Sequence, residues 1–190
     1  MTYPLLLAFL LTSEKEIIVA DVRKWIEALG WEESNENIQL LRLLSEAREF
    51  RNLYYFRLFK GNFSARLLMY VLRFFYKECP YFFLDSSCQI GPGLFIQHGF
   101  STILMADIGE NCWINQQVTI GYKDKSGRPK IGNNVRITAG AKVIGNITIG
   151  DNVTVGANAV VVKDVPDNCV VVGVPAYIIR KDGVKVTEKL

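Results

Sequence analysis

Two periods divide this chain. Up to residue 80 the apolar residues recur at the three-to-four spacing of one face of an α-helix. Ser13 and Glu16 form a capping-box pair ahead of EIIVADVRKWIEAL, and Gly30 follows as a stop. Ile38, Leu41, Leu44 and Ala47 carry the helical spacing from about Asn35 to Lys60, where Gly61 ends it. A third helix is predicted over FSARLLMYVLRFFYKEC, stopped by Pro80. The expected N-terminal region, 1–80, is therefore α-helical, with aromatic-rich faces.

After Pro80 the period becomes six. Stepping from Leu84 meets Ile90, Ile96, Thr102, Ile108, Ile114 and Ile120, and after an interruption Ile131, Ile137, Val143, Ile149, Val155 and Val161. Four residues after each lies a second apolar or small position, among them Cys88, Leu94, Phe100, Ala106 and Cys112. Three residues after each come Gly93, Gly99, Asn111, Asn134, Gly140, Asn146, Asn152, Asn158 and Asp164. Gly, Asn and Asp enter the left-handed backbone region at low cost, so a corner is written every six residues. That pattern predicts a β-helix over 81–180, three short strands to a coil of about 18 residues, followed by a C-terminal tail at 181–190. Its core is a column of aliphatic side chains, each contributing about 25 cal/mol per Å² of apolar surface buried.

The column has one substantial insertion. Ile120 and Ile131 are separated by eleven residues where six are expected, so GYKDKSGRPK projects as a loop with Lys123, Lys125, Arg128 and Lys130 against Asp124 alone. The net charge of +3 gives no general affinity for nucleic acid, but it is unevenly placed. Six Lys or Arg and no acid lie between Arg51 and Lys77, interleaved with aromatics. Residues 51–77 therefore suit either peripheral contact with an anionic membrane face or packing against protein. The apolar YPLLLAFLL is too short to span a bilayer and lacks the flanks of a signal peptide. Cys79, Cys88, Cys112 and Cys169 show no CxxC spacing and no histidine partner, which argues against a metal site and reads as reduced core thiols in a cytoplasmic protein. The single histidine, His98, lies in GLFIQHGFST.

From INQQVTIG through AGAKVIGNITIG, VGANAVV, DVPDN and VGVPAYIIR, the chain resembles the hexapeptide acyltransferases, and within them the serine acetyltransferase branch, over roughly residues 80–180. The resemblance implies a mainly β fold, a left-handed parallel β-helix with an N-terminal α-helical region. It also implies a homotrimer, with pairing of trimers left open, and acetyl-CoA lying along the coil between subunits. In that branch the histidine of a segment like GLFIQHG is the general base, a position matched by His98. An imidazole with an unperturbed pKa near ~6.5 is suited to taking a proton from an attacking alcohol. Gly121, Tyr122, Ala139, Gly140, Ala141, Gly156 and Ala157 are the expected cosubstrate contacts, small residues admitting a pantetheine arm, with Lys163 facing phosphate.

Several positions depart from the branch. The aspartate that orients the base, fifteen residues before it, is Phe83 here, and Asp85 is the candidate replacement because two residues on in a strand returns to the same side. Gln97 replaces the Asp that commonly precedes the base, and Gly127 with Arg128 replaces an Arg-His pair before Pro129. Gln97, Arg128 and Lys130 are the expected acceptor contacts. These departures, with His98-Gly99-Phe100, resemble exopolysaccharide and colanic acid-type O-acetyltransferases. The expected function is acetyl transfer to a sugar or exopolysaccharide-precursor hydroxyl in the cytoplasm, at or away from the inner membrane face. L-serine is the alternative acceptor, and a non-catalytic β-helical scaffold the reading from another class. A carbonic anhydrase-type hydrolase needs three histidines, and this chain has one.

Overall fold

A computed structural model describes residues 2–190, which divide into two compact units, one ending at Pro80 and the other spanning Tyr81–Leu190. The first unit has five helices among its described residues: α1 Tyr3–Leu11, α2 Lys15–Leu29, α3 Glu36–Glu46, α4 Arg48–Lys60 and α5 Phe63–Phe75. YPLLLAFLL is thus a helix of its own, with Pro4 in its first turn. No capping box forms at α2, because the N-cap is Glu14, whose N–H is satisfied by Thr12 Oγ1 at 3.2 Å. The single helix expected over 35–60 breaks at Ala47, which is extended at φ −109° and ψ 100°. The break lets α4 turn into the middle of the unit, where Phe50, Leu53, Tyr54, Tyr55, Phe56 and Leu58 are all buried, while α3 buries Leu40, Leu43 and Leu44 on one face.

The basic run is largely consumed inside this unit. Arg57 donates through Nε to Asp21 Oδ2 at 2.8 Å and through Nη2 to Oδ1 at 3.2 Å, both side chains 2% exposed. Arg51 donates to the carbonyls of Lys77 and Ser45, Arg66 to that of Gly61, and Arg73 pairs with Glu78. Few of the six cations are left for an outside surface. No helix among the described residues is long and apolar enough to cross a membrane.

The second unit is a parallel β-helix with three faces. One face stacks β1 Phe82–Leu84, β3 Thr102–Leu104, β6 Thr119–Gly121, β9 Lys142–Ile144 and β12 Val160–Val161. Another stacks β4 Asp107–Ile108, β7 Lys130–Ile131 and β10 Thr148–Ile149. The third carries β2 Phe95–Ile96, β5 Trp113–Ile114, β8 Arg136–Ile137, β11 Thr154–Val155 and β13 Cys169–Val172. Ile96, Ile114, Ile137 and Val155 stand in one register, each buried. Thr102, expected in the aliphatic column, is not in it: Leu104 stands in register with Ile120 and Val143, and Thr102 is buried one step before Ile103 with its hydroxyl donating to the Phe100 carbonyl at 3.3 Å. Phe100 itself, expected inside, is 48% exposed.

Left-handed residues recur from coil to coil at two of the three vertices. Gly93, Asn111, Asn134, Asn152 and Asn168 take positive φ at one, and Gln117, Gly140 and Asn158 at the next. Asn134 donates to Asn152 Oδ1 at 3.2 Å and Asn152 to Asn168 Oδ1 at 2.9 Å, a side-chain ladder down the edge. Gly99, Asn146 and Asp164, expected as corners, are not left-handed; Gly145 turns the third vertex at φ 105°. The segment read as a tail is not one. β14 Tyr177–Lys181 and β15 Val184–Lys189 continue the third face antiparallel, with Ile178 opposite Glu188 and Lys181 opposite Val184.

Candidate active site

β2 ends at Ile96, and its ladder runs one step further through Gln97 N–H to the Ile114 carbonyl at 2.8 Å. The chain then turns sharply. His98 takes φ 54° and Ser101 φ 52°, and the Phe100 N–H closes the turn on the His98 carbonyl at 2.8 Å. The left-handed conformation falls on His98, not on Gly99, a strained backbone for a non-glycine residue. It leaves the His98 side chain exposed on the vertex.

Gln97 braces this corner. Its Oε1 accepts from Trp113 Nε1 at 3.2 Å and from Asn115 Nδ2 at 2.9 Å, while Trp113 packs edge-on against Phe95 at 4.7 Å. Both lone pairs of that oxygen are in use within the protein.

The register Ile114, Ile137, Val155 puts Gln116, Ala139 and Ala157 in line along one vertex, and the Gln117 N–H bond to the Phe100 carbonyl puts Phe100 in that line one coil earlier, so His98 stands at the same vertex in a turn two residues longer than the next. Ala139, Gly140, Ala141, Gly156 and Ala157 thus share one edge with the imidazole, beginning two coils along. Gly140 has φ 75°, and a Cβ there would lie 2.1 Å from Asn158 Oδ1. Gly121 ends β6 buried, where a Cβ would meet Met105 in ordinary contact at 3.7 Å, and Tyr122 after it is 45% exposed.

Asp85 is elsewhere. It follows β1, whose Phe83 pairs with Ile103, and its N–H bonds the Leu104 carbonyl at 3.0 Å, at the far end of β3 from the His98 turn. Its Oδ1 accepts from Ser87 N at 2.7 Å and Ser87 Oγ at 2.5 Å. The fold puts Asp85 and His98 on different vertices, because the strand between them carries the chain across a whole face. Phe83 is 51% exposed beside Ile103.

Arg128 is also committed. Its Nη2 donates to Asp107 Oδ1 at 2.6 Å and the Ser87 carbonyl at 3.1 Å, and its Nη1 to Ser87 Oγ at 2.7 Å. With its side chain 17% exposed, it fastens the foot of the insertion to the neighbouring coils. Lys130 is exposed on β7 beside Asp107 and Thr148. At the loop tip Lys123 and Lys125 are exposed, and hydrogen bonds from Ser126 hold the Asp124 carboxyl below its usual range.

Lys163 stands at another vertex, where its amine donates to the Leu190 carbonyl. It lines a mainly apolar groove of about 470 Å³ with Val162, Pro175, Ala176, Tyr177 and Thr187. The repeat gave no sign of this groove, since half its wall comes from β14 and β15. Two further residues escaped the sequence reading: Asn115 Oδ1 and Gln116 Oε1, on the vertex one coil from His98, are buried without a hydrogen-bond partner.

Residues 128–163 match the family described as Bacterial transferase hexapeptide (six repeats). The solved soybean serine acetyltransferase complexed with serine superposes with a TM-score of 0.69 at 31% identity, covering 88% of this chain and 70% of that one. The chain belongs to the hexapeptide-repeat transferases. Among them it is a homologue of serine acetyltransferase. The chain is 48% identical over 108 residues to the serine acetyltransferase of Synechococcus elongatus, covering 54% of this chain and 44% of its relative. The Brucella abortus serine acetyltransferase in complex with coenzyme A superposes with a TM-score of 0.66 at 27% identity, over 90% of this chain and 69% of that one. The chain spans about half the length of the curated relatives it matches. Those relatives are named serine acetyltransferase, so the closeness to exopolysaccharide O-acetyltransferases read from His98-Gly99-Phe100 is not supported.

Proposed function

We propose that this transferase moves the acetyl group of acetyl-CoA to the hydroxyl of L-serine. The observation that carries the reading is the exposed His98 imidazole on a vertex whose later coils carry Ala139, Gly140, Gly156 and Ala157, in a chain whose relatives are serine acetyltransferases. L-serine replaces the sugar or exopolysaccharide precursor expected from the departures, because relatives at 48% and 45% identity carry its name. The coil is taken as left-handed and the assembly as a homotrimer, as the resemblance of the sequence to the serine acetyltransferase branch implies. Four buried thiols suit a reducing cytoplasm.

Acetyl-CoA supplies an activated acetyl group with a thiolate leaving group. His98 takes the proton of the serine hydroxyl as its oxygen attacks, holds it, and returns it to the departing sulfur. Ala139, Gly140, Ala141, Gly156 and Ala157 fit the pantetheine arm, since an edge with at most a methyl on each residue admits close approach to backbone N–H and C=O groups. Gly121 and Tyr122 border it, and the groove beside Lys163 suits the nucleotide end, with an amine for phosphate.

Thiol release from acetyl-CoA with L-serine, set against a sugar panel, tests the reading. L-serine should be the efficient acceptor, and His98→Asn should lower turnover by ~10² or more with the fold intact. Turnover on a sugar alone would overturn the acceptor, near-normal turnover of the variant would overturn the base, and silence on every acceptor would favour a scaffold.

A further inference from the structure

We infer that Gln97 is a positioning residue for the His98 imidazole: its side-chain amide, gripped by Trp113 and Asn115 of the next coil, fixes the end of β2 from which the left-handed turn departs. The inference rests on the role proposed for His98 above and names what holds that side chain in place.

A residue with a Cβ is disfavoured in the left-handed region and stays there only where its surroundings over-determine the backbone. His98 does so at φ 54°, in a turn two residues longer than its counterpart in the next coil. The turn hangs between two anchors. After His98 stands Phe100, whose carbonyl accepts from the Gln117 N–H at 3.1 Å and from the Thr102 hydroxyl at 3.3 Å. Directly before it stands Gln97, whose N–H donates to the Ile114 carbonyl at 2.8 Å.

The Gln97 side chain adds a second grip at the same residue. Trp113 Nε1 donates to its Oε1 at 3.2 Å and Asn115 Nδ2 at 2.9 Å, and two converging donors leave only the oxygen end of the amide able to face them. The indole is itself held. Parallel register stacks Phe95, Trp113 and Arg136 in successive coils, with Phe95 edge-on to the indole at 4.7 Å and the Arg136 guanidinium over its ring at 4.7 Å. Backbone bonds alone already pair β2 with β5, so the side-chain network is not needed for the ladder. What it adds is a fixed strand end, one residue from the imidazole.

The test uses the full chain and the efficient acceptor. Gln97→Met keeps the length and removes the oxygen; it should lower kcat about ten- to a hundredfold, with both KM values within about twofold of the parent. Gln97→Glu keeps an oxygen for both donors and should hold kcat within about threefold, measured at a pH where the imidazole is neutral in every variant. Trp113→Phe keeps a ring beside Phe95 without the N–H and should lower kcat severalfold, adding little in combination with Gln97→Met because both cut one link. His98 is the only histidine, so isotope-labelled histidine gives a single imidazole signal in the magnetic resonance spectrum. That signal should move or split in Gln97→Met and in Trp113→Phe. A raised acceptor KM with kcat unchanged would make Gln97 an acceptor contact and overturn the inference. Parent-like kcat with an unmoved signal in Gln97→Met overturns it too, as does a Gln97→Glu as slow as Gln97→Met. If Gln97→Met does not fold, Trp113→Phe decides by the same two readouts. Near-normal turnover of His98→Asn would sink the base proposed above separately; the inference then stands if the imidazole signal moves in Gln97→Met and Trp113→Phe, and falls if it does not.

Discussion

Asp21 and Arg57 make the most exposed prediction of the helical unit. Each side chain is 2% exposed, and the guanidinium grips both carboxylate oxygens, at 2.8 and 3.2 Å. Asp21→Asn keeps the shape and one acceptor oxygen but leaves a full positive charge in an interior bounded by Phe50, Leu53, Tyr54 and Phe56. Breaking a buried pair from one side costs about 3–5 kcal/mol, against a typical domain stability of about 5–15 kcal/mol. With a urea slope of about 1–3 kcal/mol per molar, the unfolding midpoint should fall by at least about 1 M. Trp25 reports it directly, being 3% exposed on the same helix as Asp21 and edge-on to Phe50 at 5.2 Å. The double variant Asp21→Leu with Arg57→Leu removes both charges and should regain most of the loss, because an apolar pair needs no desolvation of ions. A midpoint within about 0.3 M of the parent for Asp21→Asn would refute the reasoning. So would a double variant as unstable as the single one.

Two further outcomes follow from the β-helix. Arg128→Ala should free the loop foot, speeding tryptic cleavage at Lys123 and Lys125 and changing KM equally for anionic and neutral acceptors; an effect confined to anionic acceptors would return Arg128 to acceptor binding. Burial pushes the Cys112 thiol up from 9.0 to about 11, so above pH 9 the unfolded chain loses a proton that the folded one keeps. The contribution is present in full below the unfolded value and is lost as pH climbs through the window to about 11, on the order of 2–3 kcal/mol. Cys112→Ala should flatten that part of the pH–stability curve measured by urea titration, and an unaltered slope would show that the thiol does not titrate there.

The repeat was legible because it is local: each coil repeats the same pillar and the same corner, so Ile96, Ile114, Ile137 and Val155 announce their stacking without knowledge of any distant residue. Candidate chemistry at His98 was legible for a similar reason, since one imidazole in a matched segment needs only recognition. The break at Ala47 was not, because the residues around it keep helical spacing and the turn serves the burial of α4 among the other helices. Nor were the vertices fully readable. Gly99 looks like a corner, yet His98 and Ser101 take the left-handed φ, because the chain from Ile96 to Ile103 is two residues longer than its counterpart from Ile114 to Thr119. Charge was the most misleading signal. Arg128 and most of residues 51–77 look free in the sequence, and only the fold brings Asp107, Ser87, Asp21 and Glu78 to them. The unpartnered oxygens of Asn115 and Gln116 lie beyond any sequence pattern, because whether a polar atom is satisfied depends on every group that packing brings to it, and that is decided by the tertiary structure alone.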